Sequence, residues 1–76
     1  MTTLYGIVCK NFNTAETQLL SIGIRPKLVA YSLSVKESIE HASGKRFQSP
    51  TLFHKGVWYM GISQILSYVK AKKLAQ

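Results

Sequence analysis

Between Ser49 and Gly61 the chain reads Ser-Pro-Thr-Leu-Phe-His-Lys-Gly-Val-Trp-Tyr-Met-Gly, two apolar runs separated by Lys55-Gly56. Pro50 has no backbone N–H, so it can open a strand but cannot sit inside a paired ladder. Gly56 supplies the positive φ that a tight turn requires, and Val57 to Tyr59 must then return as the partner strand. A closing hairpin that begins at a proline is therefore fixed, and the preceding residues have to supply the rest of the sheet.

Upstream, Thr3 to Val8 is β-branched and aromatic enough for a strand, with Gly6 either weakening it or marking a close backbone approach. Asn13-Thr14-Ala15-Glu16 has the form of a helix start, an Asn cap with Glu three residues on. Ala15, Leu19, Leu20 and Ile22 continue one apolar face until Gly23. Pro26 to Ser32 reads as a second strand. Ser34-Val35-Lys36-Glu37 forms a capping box for a second helix, ended by Ser43-Gly44. After the hairpin, Ile62, Ile65, Leu66, Val69 and Leu74 make a last helical stripe with lysines in its final turns.

The resulting order, β-α-β-α-β-β-α, predicts an α/β, thioredoxin-like domain: a four-stranded mixed sheet flanked by three helices. The helix between the first two strands makes them parallel, and the hairpin adds antiparallel strands. The predicted strand order is 2-1-3-4, with the strand after Pro50 antiparallel to the first. No linker or repeat divides the 76 residues, so residues 1–76 read as one domain.

Ten Lys and Arg oppose three Glu and no Asp, a formal charge of +7. This balance favours acidic partners: a protein surface, a nucleic acid or an anionic thiol such as glutathione. Nucleic acid is disfavoured, because charge alone supports it and no strand interleaves aromatic and basic residues. No window approaches a membrane-spanning run and the N-terminus has no export pattern, so a membrane partner is not expected. The single cysteine excludes an internal disulfide and suits a reducing, cytoplasmic setting. His41 and His54 lack nearby carboxylates, so no metal site or metal cofactor is expected. His54, just before the turn, reads as solvent-facing. Trp58 and Tyr59 fall on opposite faces of their strand.

Cys9 falls between the first strand and the first helix, where the helix dipole, unpaired N–H groups and Lys10 favour the thiolate. The thiolate is the nucleophile of thiol–disulfide exchange. A lone cysteine is also compatible with plain apolar packing.

From Ser49 to Leu66 the chain resembles the glutaredoxin family. That family writes Thr-Val-Pro-x-Ile-Phe-x-x-Gly-x-x-Ile-Gly-Gly-x-x-Asp-Leu here, and the spacing is followed without a gap. Tyr5, Cys9, Ala15, Leu19 and Leu20 are similarly placed in the N-terminal half. The resemblance implies a cis bond before Pro50, a proline set against a reactive cysteine, and Cys9 as the catalytic thiol. It implies that Ser49 offers its backbone to an extended glutathione or peptide chain.

The departures are specific. Cys9-Lys10-Asn11-Phe12 puts Phe12 where the family has its second cysteine, so no dithiol cycle can run within the chain. Gln48-Ser49 replaces Thr-Val. The segment that holds the glutathione amine becomes Met60-Gly61-Ile62-Ser63-Gln64, with Met60 adding bulk and no carboxylate at Gln64. Loss of that charge-assisted partner is expected to weaken glutathione by ~1.5–3 kcal/mol. Lys10, Phe12, Phe47 and Met60 are expected to form an exposed, basic-edged apolar patch around Pro50.

Two functions follow. One is a glutaredoxin-like thiol protein, a thiol–disulfide oxidoreductase with weak or absent dithiol activity. Its Cys9 forms a mixed disulfide with glutathione or a protein thiol, and Lys10, Phe12, Gln48, Ser49, Pro50, Met60, Gly61 and Ser63 form the binding face. The other is a non-catalytic module that uses this face to bind an acidic protein. Its small size and drifted motifs are compatible with a viral or mobile-element origin.

Overall fold

A computed structural model describes residues 2–75 of the chain. Seven elements follow one another: β1 (Thr2–Gly6), α1 (Lys10–Ser21), β2 (Lys27–Ala30), α2 (Leu33–Ser43), β3 (Thr51–His54), β4 (Val57–Met60) and α3 (Ile62–Leu74). The four strands form one mixed sheet in the order β2-β1-β3-β4. β1 runs parallel to β2 and antiparallel to β3, and β3 to β4 is the antiparallel hairpin. Element sequence, strand order and pairing directions are those the sequence predicts.

The hairpin turn carries positive φ at both central residues, 50° at Lys55 and 79° at Gly56. Two such residues define a type I′ turn, whose twist matches the flanking strands. Glycine makes the second position cheap, and Lys55 tolerates the first. Leu52 then faces Tyr59, and Phe53 faces Trp58.

Alternation along the strands divides the molecule into two layers. Leu4 and Leu52 point to one face and form the core with Phe12, Ala15 and Leu19 of α1 and Ile65 and Val69 of α3. The other face presents Tyr5, Phe53 and Trp58, with ring centroids 4.4 Å apart for Phe53 and Trp58. There α2 lies over the sheet, with Val35 and Ile39 lining a cavity of about 240 Å³ together with Tyr5 and Trp58. Helices thus cover both faces of the sheet.

Several boundaries differ from the sequence reading. α1 starts at Lys10 with Cys9 as its N-cap, so Asn13 lies inside the helix and does not cap it. The earlier start completes an apolar stripe at Phe12, Ala15 and Leu19, spacings of three and four that share one face. Phe12 is consequently a core residue with 2% of its surface exposed, not part of an exposed loop. α2 is capped by Ser32, whose hydroxyl accepts the Val35 N–H at 3.1 Å, and Ser34 is already helical. Gly44 ends α2 with φ 70°, as expected.

Because Ser32 satisfies an otherwise unpaired donor, Ser32→Ala is expected to lower unfolding free energy by ~0.5–2 kcal/mol. Urea denaturation measures this as a lower midpoint at unchanged slope.

Candidate functional site

β1 ends at Gly6, and three residues carry the chain into α1. Ile7 and Val8 are exposed, at 54% and 68% of their surface, and Cys9 is exposed beside them. Cys9 is extended (φ −154°, ψ −176°), and its carbonyl accepts the Asn13 N–H at 2.9 Å. Its side chain makes no capping hydrogen bond. The thiol therefore stands at the positive end of α1 with exposed Lys10 next in sequence and no acidic residue in the first turn. A surface depression of about 490 Å³ continues from Lys10 along α1, lined by Asn13, Thr14, Thr17 and Gln18.

The Ser49–Pro50 segment packs directly against the strand that leads to Cys9. The Ser49–Pro50 bond is cis. Ser49 Oγ accepts the Ile7 N–H at 3.0 Å. A β-carbon on Gly6 would lie 2.6 Å from Ser49 Oγ and 3.2 Å from both the Phe12 ring and Pro50 Cα. Gly6 is thus the close backbone approach its position in the strand suggested. The loop is held from its other side as well: Phe47 N–H donates to the Glu40 carboxylate at 2.8 Å, and the Thr51 hydroxyl donates to the Gln48 carbonyl at 2.5 Å.

Gly6→Ala is expected to destabilise the fold by ~1–3 kcal/mol, because a proline backbone and a core ring cannot both retreat. A melting curve that matches the parent would show the contact to be slack.

Gly61 joins the same neighbourhood. Its N–H donates to the Pro50 carbonyl at 2.9 Å, and Gln48 Oε1 would lie 2.7 Å from a β-carbon added there. The Met60 N–H donates to Gln64 Oε1 at 2.9 Å. The two backbone donors of the Met60–Gly61 segment are therefore already engaged within the chain. Ser63 is exposed on the first turn of α3.

The expected apolar patch around Pro50 does not form. Met60 pairs with Thr51 and is buried, as is Phe12, while Phe47 is half-buried with its ring 5.5 Å from that of Tyr31. Lys10 alone of the four is exposed. The exposed apolar surface beside Cys9 is instead Ile7 and Val8, which the sequence reading had assigned to the strand. Gln48, Ser49, Pro50 and Gly61 thus gather at the end of β1, with Cys9 and Lys10 following in the chain at the head of α1, whereas Phe12 and Met60 belong to the interior.

His54 also departs from expectation. It shares a face with Leu52, retains 8% of its surface, and bonds through Nδ1 to the Thr2 hydroxyl. Its ring meets Tyr68 edge-on at 5.6 Å. Burial lowers its pKa below 6.5, and the charges of Lys55 and Lys72 lower it further. Burial also raises the pKa of Tyr68 and of Tyr59, where Tyr68 adds to the effect. Strand alternation counted back from His54 to Leu52 is the signal that would have placed this residue inside.

Among the described residues, no group of three or more His, Cys, Asp or Glu side chains could hold a metal ion. No helix among them is long and apolar enough to cross a membrane. No protein-family model matches the chain. No curated protein matches it at a significant level.

Proposed function

We propose that the chain is a thioredoxin-fold, glutaredoxin-like protein that works through one thiol, with Cys9 forming a mixed disulfide with a protein thiol or, more weakly, glutathione. The observation that carries this reading is an exposed cysteine at the head of α1, three residues beyond a glycine that touches Pro50. In the reaction, the Cys9 thiolate attacks one sulfur of a partner disulfide. The new S–S bond forms as the old one breaks, and the second partner sulfur leaves as a thiolate with the electron pair. An external thiol then attacks the mixed disulfide and returns Cys9 to its reduced form. Resolution within the chain is excluded because Cys9 is its only cysteine.

Glutathione is the weaker partner in this reading because Gln64, without a charge, already accepts the Met60 N–H. A second reading has the same surface bind an acidic protein without covalent chemistry. Its support is the exposed pair Ile7 and Val8, together with Lys10 and the net charge of +7.

Stopped-flow reaction with 2,2′-dithiodipyridine separates the two. The thiol reading expects one thiopyridone released per chain, faster than from free cysteine at mildly acidic pH. The product should persist until an external thiol is added. A rate no faster than free cysteine leaves the non-covalent reading as the better account.

A further inference from the structure

At the pole of the sheet opposite Cys9, where β1 begins and β3 ends, lies a separate recess of about 310 Å³. Its lining comes from three places: Ile22 and Ile24 after α1, His54 and Lys55 at the hairpin, and Tyr68 and Lys72 on α3. Ile22 and Ile24 are half-buried against the core and make an apolar wall. Lys72 Nζ stands 5.6 Å from the centre of the Tyr68 ring, which keeps its charge beside the recess. None of the three acidic residues of the chain, Glu16, Glu37 and Glu40, lines it. The depressed pKa of His54 comes first from its burial and then from the charges of Lys55 and Lys72.

We propose that this recess binds a small aromatic carboxylate, its carboxylate between Lys55 and Lys72 and its ring against Ile22 and Ile24. Two lysines and two isoleucines lining one recess suit a monoanion with an apolar body. A bare phosphate would leave the apolar wall unused, and a neutral arene would leave the lysines unanswered. The volume is at the low end of the ~300–1,000 Å³ found for ligand sites, which fits one ring or two fused rings rather than a nucleotide cofactor. No residue of the recess belongs to the Cys9 surface, so the two proposals stand or fall separately.

Binding should also act on His54. The groups about its ring are the Thr2 hydroxyl from β1 and Tyr68 from α3, with the charges of Lys55 from the turn and Lys72 from α3 acting on it. A bound carboxylate offsets those cations and favours the protonated imidazole. The His54 pKa therefore rises on saturation, and by linkage the ligand binds more tightly as pH falls through the His54 titration.

The test is an NMR titration of the whole chain with 2-naphthoate, 2-naphthol and inorganic phosphate in parallel. Naphthoate is expected to shift Ile22, Ile24, His54 and Tyr68 signals saturably and to raise the His54 pKa. Naphthol and phosphate should each bind at least about tenfold more weakly, as should the Lys55→Gln/Lys72→Gln variant, since each lacks one half of a charge-assisted, apolar contact. Both lysines are exposed, so the variant should fold normally. The proposal is overturned by shifts scattered over the basic surface or by no saturation. Equal binding of naphthol, or unchanged naphthoate affinity and an unmoved His54 titration in the double variant, overturns it as well.

Discussion

Phe12→Ala is expected to lower the unfolding free energy by about 3–5 kcal/mol, the usual loss for truncating a buried phenylalanine. Phe12 packs with Leu4, Ala15, Leu19, Leu52, Ile65 and Val69, and α1 has no second large residue on that face before Leu19. A domain of this length holds only roughly 4–11 kcal/mol of stability at the usual 0.05–0.15 kcal/mol per residue. The variant should therefore sit near the edge of unfolding at room temperature. Chemical denaturation followed by the single tryptophan, Trp58, measures the loss. A change within about 0.5 kcal/mol, ordinary for a surface site, would mean that Phe12 is not in the core. The same packing bears on the missing second cysteine. Phe12→Cys should empty part of the core rather than supply a resolving thiol, because this side chain faces Leu4 and Leu52 and not solvent.

Cys9→Ser should have the opposite profile: complete loss of mixed-disulfide formation with the fold intact. The thiol is exposed and makes no capping bond, so little packing is removed. Serine is among the best N-cap residues, and its hydroxyl at this position can accept an N–H of the first turn of α1. A gain in stability of about 0.5–1 kcal/mol is therefore expected along with the loss of reactivity. Intact mass after disulfide treatment and a urea titration of the same sample check both halves. Persistent modification of a chain that has no other thiol would show that the adduct is not a mixed disulfide, and marked destabilisation would show that the sulfur packs into the fold.

The fold was legible wherever periodicity and turn chemistry agreed. Pro50 and Gly56 bracket a hairpin that no other pairing satisfies, and Gly23 and Gly44 end helices whose apolar faces stop at those points. The misplaced features share one cause, local polar signals competing with apolar spacing. Asn13 and Ser34 both carry Glu three residues on and look like caps, yet Cys9 and Ser32 hold those positions. Counting the apolar spacing back from Ala15 by three reaches Phe12, and that count decides where α1 starts. His54 was read from its neighbour, the turn, although its parity with Leu52 turns it inward. For the candidate site, the place of Cys9 between β1 and α1 followed from the pattern of elements, and the close backbone approach at Gly6 from a glycine inside a strand. The exposed Ile7 and Val8 did not, because two β-branched residues after a strand give no sign that a glycine has already ended it.

Incubating the reduced chain with an excess of oxidised glutathione, then with a disulfide-linked peptide, and reading intact and peptide masses tests the central claim most directly. The account predicts one added group per chain, located on Cys9, removed by dithiothreitol and absent from Cys9→Ser, with the peptide adduct forming more readily than the glutathione adduct. A chain that stays unmodified under conditions that convert free cysteine would contradict it.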